Sequence, residues 1–150
     1  MNCIIVDDEP LAREELQALL GEVSNIEIKA KFSTALKALD FIKENQVDLI
    51  FLDIEMPLMN GLEFAMQIPE KTLIVFTTAY PQYALKSYEF DAIDYLLKPI
   101  DSNRLDKAVK KATLYIDLLA EQKNTIESNT TDFLFIKADR RYHKIYFKDI

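Results

Sequence analysis

The chain has 150 residues and a formal net charge of −7, with 49% hydrophobic and 29% charged residues. This length suffices for one domain with a full core and a little more, and the composition is that of a globular protein with no run long enough to span a membrane. The acidic balance argues against these residues as a whole being a strong nucleic-acid binder. A single cysteine, Cys3, excludes an internal disulfide, and the N-terminus has no signal-peptide pattern, so we expect a cytoplasmic protein.

Five apolar runs, separated by helical patterns, predict an alternating β/α chain. The predicted strands are 3–7, 26–32, 48–53, 73–79 and 92–98. The first, third and fourth are continuously apolar, which is typical of strands covered on both faces of a parallel sheet. The second alternates and is therefore expected at an edge.

The helical segments between these strands are marked by apolar residues at helical spacing and by start signals. The residues at or near which the five helices are predicted to begin are Pro10, Ser33 or Thr34, Gly61, Pro81 and Asp101 or Ser102. The order βαβαβαβαβα predicts an α/β fold, a doubly wound five-stranded parallel sheet with strand order 2-1-3-4-5.

The end of the chain differs in composition from the rest. Residues 121–132 are polar, and we interpret them as the end of the fifth helix and a linker. Residues 133–150 predict two strands around a turn, a β-hairpin-like tail that is too short to bury a core of its own. We therefore expect one domain at 1–120 and the first strands of a second domain at 133–150.

Acidic residues follow two of the predicted strands. Asp7 and Asp8 end the first strand, and Asp53 and Glu55 end the third. Because the carboxyl ends of parallel strands meet at one edge of a sheet, these side chains should lie close together. Two carboxylates about 4 Å apart repel by about 4 kcal/mol at an effective dielectric constant near 20. The cluster therefore calls for a cation, and an all-oxygen site suits Mg²⁺.

Thr78 and Lys98 follow the fourth and fifth strands at the same edge. A lysine and a hydroxyl beside a metal site would form a pocket for a dianion. Asp53 is central enough in this pocket to act as a nucleophile, and carboxylates form acyl phosphates in this way. The residues thus predict chemistry on a phosphoryl group, whose oxygens the metal, lysine and hydroxyl would stabilise.

Four segments resemble the signature blocks of response-regulator receiver domains: VDDEP (6–10), LDIEMPLMNG (52–61), FTTAY (76–80) and DYLLKP (94–99). The resemblance covers residues 1 to about 120 and implies the flavodoxin-like fold of CheY-like proteins. It further implies a protein that is phosphorylated by a sensor histidine kinase and is not itself a turnover enzyme.

The resemblance also implies roles for individual residues. Asp53 would be the phosphoacceptor, and Asp8 a direct Mg²⁺ ligand with Asp7 acting largely through water. Asp53 and the backbone carbonyl of Glu55 would complete the metal site. The residues implied in phosphate binding and switching are Thr78 and Lys98, which would contact the phosphoryl group, Tyr95, the aromatic switch that follows Thr78, and Pro99, which would form a cis peptide bond with Lys98.

A narrower resemblance concerns the output of the protein. Residues 77–101 are similar to receivers of the LytTR type, whose output domain binds DNA, and residues 133–150 match the beginning of that domain. This implies transcription regulation, with phosphorylation changing the face formed by the fourth helix, fifth strand and fifth helix. Extra apolar residues on the fifth helix, at Leu114, Tyr115 and Leu118, suggest packing on the missing domain or on a second copy of the chain.

Several alternatives remain open at this stage. A phosphatase of the haloacid-dehalogenase type also uses Asp, Mg²⁺, Thr and Lys, but it carries D-x-D on its first strand. A pseudo-receiver without phosphorylation and a dinucleotide-binding domain are less favoured, the latter because the chain has only two glycines. Glu9 could serve only the helix dipole, and Glu55 could face the pocket or lie at its rim. Gly61 could provide a positive φ or close packing.

Overall fold

The structure, a computed structural model, describes residues 1–125. The strands are β1 (Asn2–Val6), β2 (Glu27–Phe32), β3 (Leu49–Asp53), β4 (Leu73–Thr78) and β5 (Asp94–Leu97). The helices are α1 (Pro10–Val23), α2 (Ala35–Glu44), α3 (Gly61–Ala65), α4 (Tyr83–Glu89) and α5 (Ser102–Thr125). The predicted hairpin at 133–150, and the predicted linker beyond Thr125, lie outside the described residues.

The five strands form one sheet in the order β2-β1-β3-β4-β5, and every neighbouring pair is parallel. The predicted doubly wound, flavodoxin-like fold is therefore confirmed. The strand register keeps the carboxyl ends level, since Asp53 pairs with Thr77 and Thr78 pairs with Leu97. Residues that follow the central strands consequently emerge side by side at one edge.

The core lies in two clusters, one on each face of the sheet. Ile4 and Val6 of β1 belong to the cluster beneath α2 and α3, whereas Cys3 and Ile5 belong to the cluster beneath α1 and α5. Successive residues of a strand point to opposite faces, so a strand buried on both faces must be apolar throughout. This explains the continuous apolar runs of β1, β3 and β4.

The edge strand and the helix starts follow local sequence signals. β2 lies at the edge, as predicted, and alternates between exposed and half-buried residues. Pro10 begins α1, where its fixed φ and missing N–H are tolerated. Of the two predicted caps for α2, Thr34 accepts a hydrogen bond from the Lys37 N–H at 3.3 Å. Within residues 1–125, no helix is long and apolar enough to cross a bilayer.

Candidate functional site

The three predicted aspartates meet at the carboxyl edge of the sheet. Asp7 and Asp8 follow β1, and Asp53 is the last residue of β3. Asp7 and Asp53 are both 4% exposed, and Asp8 is half-buried. One carboxylate oxygen from each of the three lies within 4.8 Å of the others. Such proximity of buried like charges is unfavourable unless a cation is close.

Lys98 reaches into this cluster from the end of β5. Its Nζ lies 2.8 Å from Asp7 Oδ2 and 3.5 Å from Asp53 Oδ1, and its side chain is 21% exposed. One ammonium therefore faces three carboxylates. If all four groups are ionised, their summed charge is −2.

This charge imbalance shifts the pKa values of Asp53 and Lys98. Burial, and then the charges of Asp7 and Asp8, raise the pKa of Asp53 to about 7 against the opposing effect of Lys98. For Lys98, burial alone would lower the pKa. The hydrogen bond to Asp7 and the negative charges of Asp53, Asp7 and Glu9 outweigh burial and raise that pKa instead.

Two hydrogen bonds from residues that follow β1 fix the position of Asp7. The Glu9 N–H donates to Asp7 Oδ1 at 2.9 Å, and the Arg13 guanidinium donates from Nη1 to the Asp7 carbonyl oxygen at 2.7 Å. Because Asp7 and Arg13 are six residues apart across the start of α1, periodicity alone did not indicate this support. Glu9 is the N-cap residue of α1, and its side chain makes no capping hydrogen bond.

Gly61 brings the β3–α3 loop against the backbone of Asp53. The Gly61 N–H donates to the Ile54 carbonyl oxygen at 2.8 Å. A Cβ atom on Gly61 would overlap the carbonyl oxygen of Asp53 and lie 2.9 Å from Ile54 Cα. Neither described glycine has a positive φ, so of the two predicted reasons for Gly61 close packing is correct and positive φ is wrong. Asn60 caps α3 in a reciprocal capping box with Glu63.

The predicted switch residues are joined through the backbone of Tyr80. Thr78 is buried, and its Oγ1 accepts a hydrogen bond from the Tyr80 N–H at 3.0 Å. The hydroxyl of Tyr95, which is half-buried on β5, donates to the Tyr80 carbonyl oxygen at 3.2 Å. A hydroxyl that accepts one hydrogen bond can still donate another. The Thr78 hydroxyl therefore keeps a proton that it can donate to an anion in the cleft.

Glu55 is exposed and contacts α4. Its Oε1 accepts a hydrogen bond from the Tyr83 hydroxyl at 2.9 Å. That hydrogen bond, followed by burial and the charge of Glu55, raises the pKa of Tyr83. The rings of Tyr83 and Tyr80 meet edge to face, with centroids 6.2 Å apart. Sequence reasoning left the direction of Glu55 open, and the structure places its carboxylate against Tyr83.

A cleft of about 580 Å³ opens over the cluster. Besides the acids, Thr78 and Lys98, it is lined by apolar residues of α1 and of the segment after β5, among them Leu11, Leu16 and Ile100. The Lys98–Pro99 peptide bond at its wall is cis. The arrangement combines oxygen ligands suited to a hard cation, one buried carboxylate that could act as a nucleophile, and an ammonium for an anion.

Comparison with known proteins agrees with this geometry. Residues 3–110 match the family model described as "Response regulator receiver domain". The chain is 39% identical to the response regulatory domain of protein mrkE from Klebsiella pneumoniae, whose crystal structure superposes with a TM-score of 0.73 over 79% of this chain and 99% of that one.

Curated relatives include longer proteins. An uncharacterized response regulatory protein of Vibrio parahaemolyticus is 40% identical over 136 residues, which cover 88% of this chain and 56% of the relative. The transcriptional regulatory protein BtsR of Escherichia coli is 39% identical over 157 residues, which cover 100% of this chain and 64% of BtsR. The chain thus spans less than two thirds of the length of these relatives.

Proposed function

This chain belongs to the response regulator receiver domain family, and from that membership we propose that it takes a phosphoryl group from a histidine kinase onto Asp53, with Mg²⁺ bound beside it. The prediction of a two-component receiver domain is confirmed by the family match and the fold. The roles of individual residues, the metal and the kinase are parts of the proposal.

The observation that carries the proposal is the charge imbalance of the buried cluster. Three carboxylates share one lysine within a cleft that is open to solvent. All of these ligands are oxygens, which suits Mg²⁺ with several waters retained. Asp7, Asp8, Asp53 and the backbone carbonyl of Glu55 would hold it, and when bound it would offset the excess negative charge and draw the phosphoryl oxygens towards Asp53.

The chemical step uses side chains of the chain itself. A carboxylate oxygen of Asp53 attacks the phosphorus of a phosphohistidine, the new O–P bond forms as the N–P bond breaks, and the imidazole leaves with its electron pair and takes up a proton. The Lys98 ammonium and the Thr78 hydroxyl stabilise charge on the equatorial oxygens. The kinase supplies the phosphoryl group, so the receiver is not a turnover enzyme.

The proposed switch starts from Thr78. When its hydroxyl moves towards the bound phosphoryl group, the hydrogen bond to Tyr80 changes, and Tyr80 is also the partner of the Tyr95 hydroxyl. The ring of Tyr95 would then follow Thr78 and alter the face formed by α4, β5 and α5. Phosphorylation would shift an equilibrium that already exists between two arrangements of this face.

A homodimer through this face is a further part of the proposal. Three exposed leucines lie on its elements: Leu85 on α4 is 81% exposed, Leu97 on β5 is 44% exposed, and Leu114 on α5 is 59% exposed. Exposed large apolar side chains suit an interface. Sedimentation with and without beryllofluoride, a phosphate mimic, tests it: a shift towards dimer supports it, and a monomer in both states contradicts it for this chain.

The output is proposed to be DNA binding by a LytTR-type domain in the cytoplasm. Support comes from the similarity to BtsR, which is named a transcriptional regulatory protein and extends beyond the matched region. In this proposal residues 1–120 are the receiver, 121–132 the linker and 133–150 the first strands of the output domain. The candidate nucleophile on β3, rather than β1, argues against a phosphatase of the haloacid-dehalogenase type.

The deciding experiment is phosphorylation by a small donor. The chain is incubated with Mg²⁺ and acetyl phosphate, and intact mass is measured. We expect one phosphoryl adduct on the wild type, none after Asp53→Asn, and none when EDTA removes the metal. Asp40→Asn, an exposed acid on α2, is the matched control and should keep the adduct. An undiminished adduct on the Asp53→Asn variant contradicts the proposal.

A further inference from the structure

A second buried carboxylate, Asp94, lies on β5 outside the cleft. It precedes Lys98 by four residues, roughly 13 Å along an extended strand. Its side chain is 7% exposed and is flanked by two cations of α5: Arg104 Nη2 lies 3.0 Å from Oδ1, and Lys111 Nζ lies 3.5 Å from Oδ2. Buried charges with such partners are held in place strongly, because separating them leaves an uncompensated charge.

The same pair holds both backbone polar groups of Tyr95. The Tyr95 N–H donates to Asp94 Oδ1 at 2.8 Å, and Arg104 Nη2 donates to the Tyr95 carbonyl oxygen at 3.1 Å. Because Arg104 also binds Asp94, the three residues close a ring. We call this ring, made of Asp94, Arg104 and the Tyr95 backbone, the Asp94 clamp. Both bonds leave from Nη2, whose two N–H groups point in fixed directions in the plane of the guanidinium.

The clamp joins β5 to the first turn of α5. Arg104 is the third residue of α5, and its N–H also donates to Asp101 Oδ2 at 3.1 Å. α5 has 24 residues, which corresponds to about 36 Å. Its residues from Leu105 to Ile116 pack against the sheet core, and the helix continues nine residues further towards the C-terminal segment.

We propose that Asp94 and Arg104 are positioning residues that fasten the backbone of Tyr95 to α5, so that a displacement at Tyr95 moves α5 with it. Without the clamp, the ring of Tyr95 would still respond to the cleft, but α5 would respond less. This inference rests on the proposed function, since it concerns how the switch at Tyr95 reaches the helix that leads out of the domain.

The test uses one reporter at Tyr95, within the clamp, and one at Tyr115, further along α5. All tyrosines are replaced by 3-fluorotyrosine, the Tyr95 and Tyr115 signals are assigned by Tyr→Phe variants, and ¹⁹F spectra are recorded as beryllofluoride and Mg²⁺ are added. In the wild type, both signals should shift with the same midpoint. In Arg104→Gln the Tyr95 shift should remain and the Tyr115 shift should fall at least twofold. Lys110→Gln, which removes an exposed ion pair of the same helix, should behave as the wild type.

If the Tyr115 signal shifts as far in Arg104→Gln as in the wild type, the clamp is not the route to α5 and the proposal is overturned. A second measurement is independent of the mimic: a double-mutant cycle of Asp94→Asn and Arg104→Gln, read by urea unfolding. We expect the two changes to be coupled at least fivefold in the unfolding equilibrium constant, and additivity overturns the clamp. If beryllofluoride moves neither ring in the wild type, the proposed function is overturned instead, and the cycle alone decides whether the clamp exists.

Discussion

Asp53 and Asp94 are buried to the same degree, at 4% and 6% exposed, yet their surroundings have opposite charge. Around Asp53, three carboxylates share one lysine. Around Asp94, one carboxylate has an arginine and a lysine. The first site has room for a further cation and opens to a cleft, whereas the second already has more positive than negative charge.

The difference separates a reactive carboxylate from a structural one. Burial raises the pKa of Asp53, and neighbouring acids raise it further, so the site is unfavourable until a cation binds. Asp94 has its compensating charges within the fold, and these hold a strand to a helix. Depth of burial therefore does not distinguish the two sites, but the sign of the surrounding charge does.

The largest expected effect is at Lys98, the cation that contacts the carboxylates of Asp7 and Asp53. Lys98→Met removes the ammonium that contacts the buried carboxylates, so in EDTA near pH 8 the free energy of unfolding should fall by about 3 kcal/mol. The loss should shrink at lower pH, because protonation of Asp53 relieves the repulsion. Urea unfolding measures it. A loss no larger than that of Arg104→Gln would remove the contrast between the two sites.

The pH dependence of stability should come from Asp53. Its pKa in the folded protein is raised from 3.8 to about 7, so the folded state binds the proton more tightly than the unfolded state does. This contribution is complete below the unfolded pKa and is lost as pH rises through about 7. In EDTA, the free energy of unfolding should decrease with pH by at most about 1.4 kcal/mol per unit.

Asp53→Asn should remove most of this slope. Urea unfolding of the wild type and the variant at several pH values measures it. A wild type whose stability is independent of pH over this window, or a variant that keeps the wild-type slope, would contradict the prediction.

Mg²⁺ binding should stabilise the protein through the acid site and not through the clamp. At a Mg²⁺ concentration ten times the dissociation constant, the free energy of unfolding should rise by about 1.4 kcal/mol. Asp8→Asn should abolish the increment, and Arg104→Gln should keep it, since the clamp already has its cations. Thermal unfolding with and without Mg²⁺ measures the effect. Equal stabilisation of the Asp8→Asn variant would contradict the metal site.

The smallest effect is expected at the clamp. Arg104→Gln should lower the free energy of unfolding by about 1 kcal/mol, because Lys111 remains beside Asp94 and the Arg104 side chain is 46% exposed. Lys110→Gln should change stability by less than about 0.5 kcal/mol. The difference between the two variants, measured in urea, isolates the clamp.

Sequence predicted the elements because burial on two faces demands continuous apolar strands, as in β1, β3 and β4. The predicted ends of the strands agree less well with the structure than the predicted order of the elements does. The fifth strand was predicted at 92–98 but spans Asp94–Leu97, although the N–H groups of Ile93 and Lys98, on either side of it, still donate to carbonyl oxygens of β4. Apolar composition does not mark where regular pairing begins.

The acid cluster could be predicted for a related reason, since the parallel order brings strand ends to one edge. The contacts of Arg13, Tyr83 and Arg104 could not be predicted from the sequence. Each depends on how a helix docks against the sheet, and long side chains reach partners that no local spacing specifies. Asp94 shows this most clearly: in the sequence it is one acid in an apolar run, and its cations lie on another element.

Gly61 has a consequence for how this protein can vary. Every other amino acid carries a Cβ, and at this position that atom would meet the carbonyl of the residue proposed to be phosphorylated. No codon change at position 61 therefore offers a mild replacement, whereas at Gly21 a Cβ would have nothing within 4 Å. In a saturation library selected for signalling, tolerance at the two glycines should be opposite, with position 61 as restrictive as the aspartate behind it.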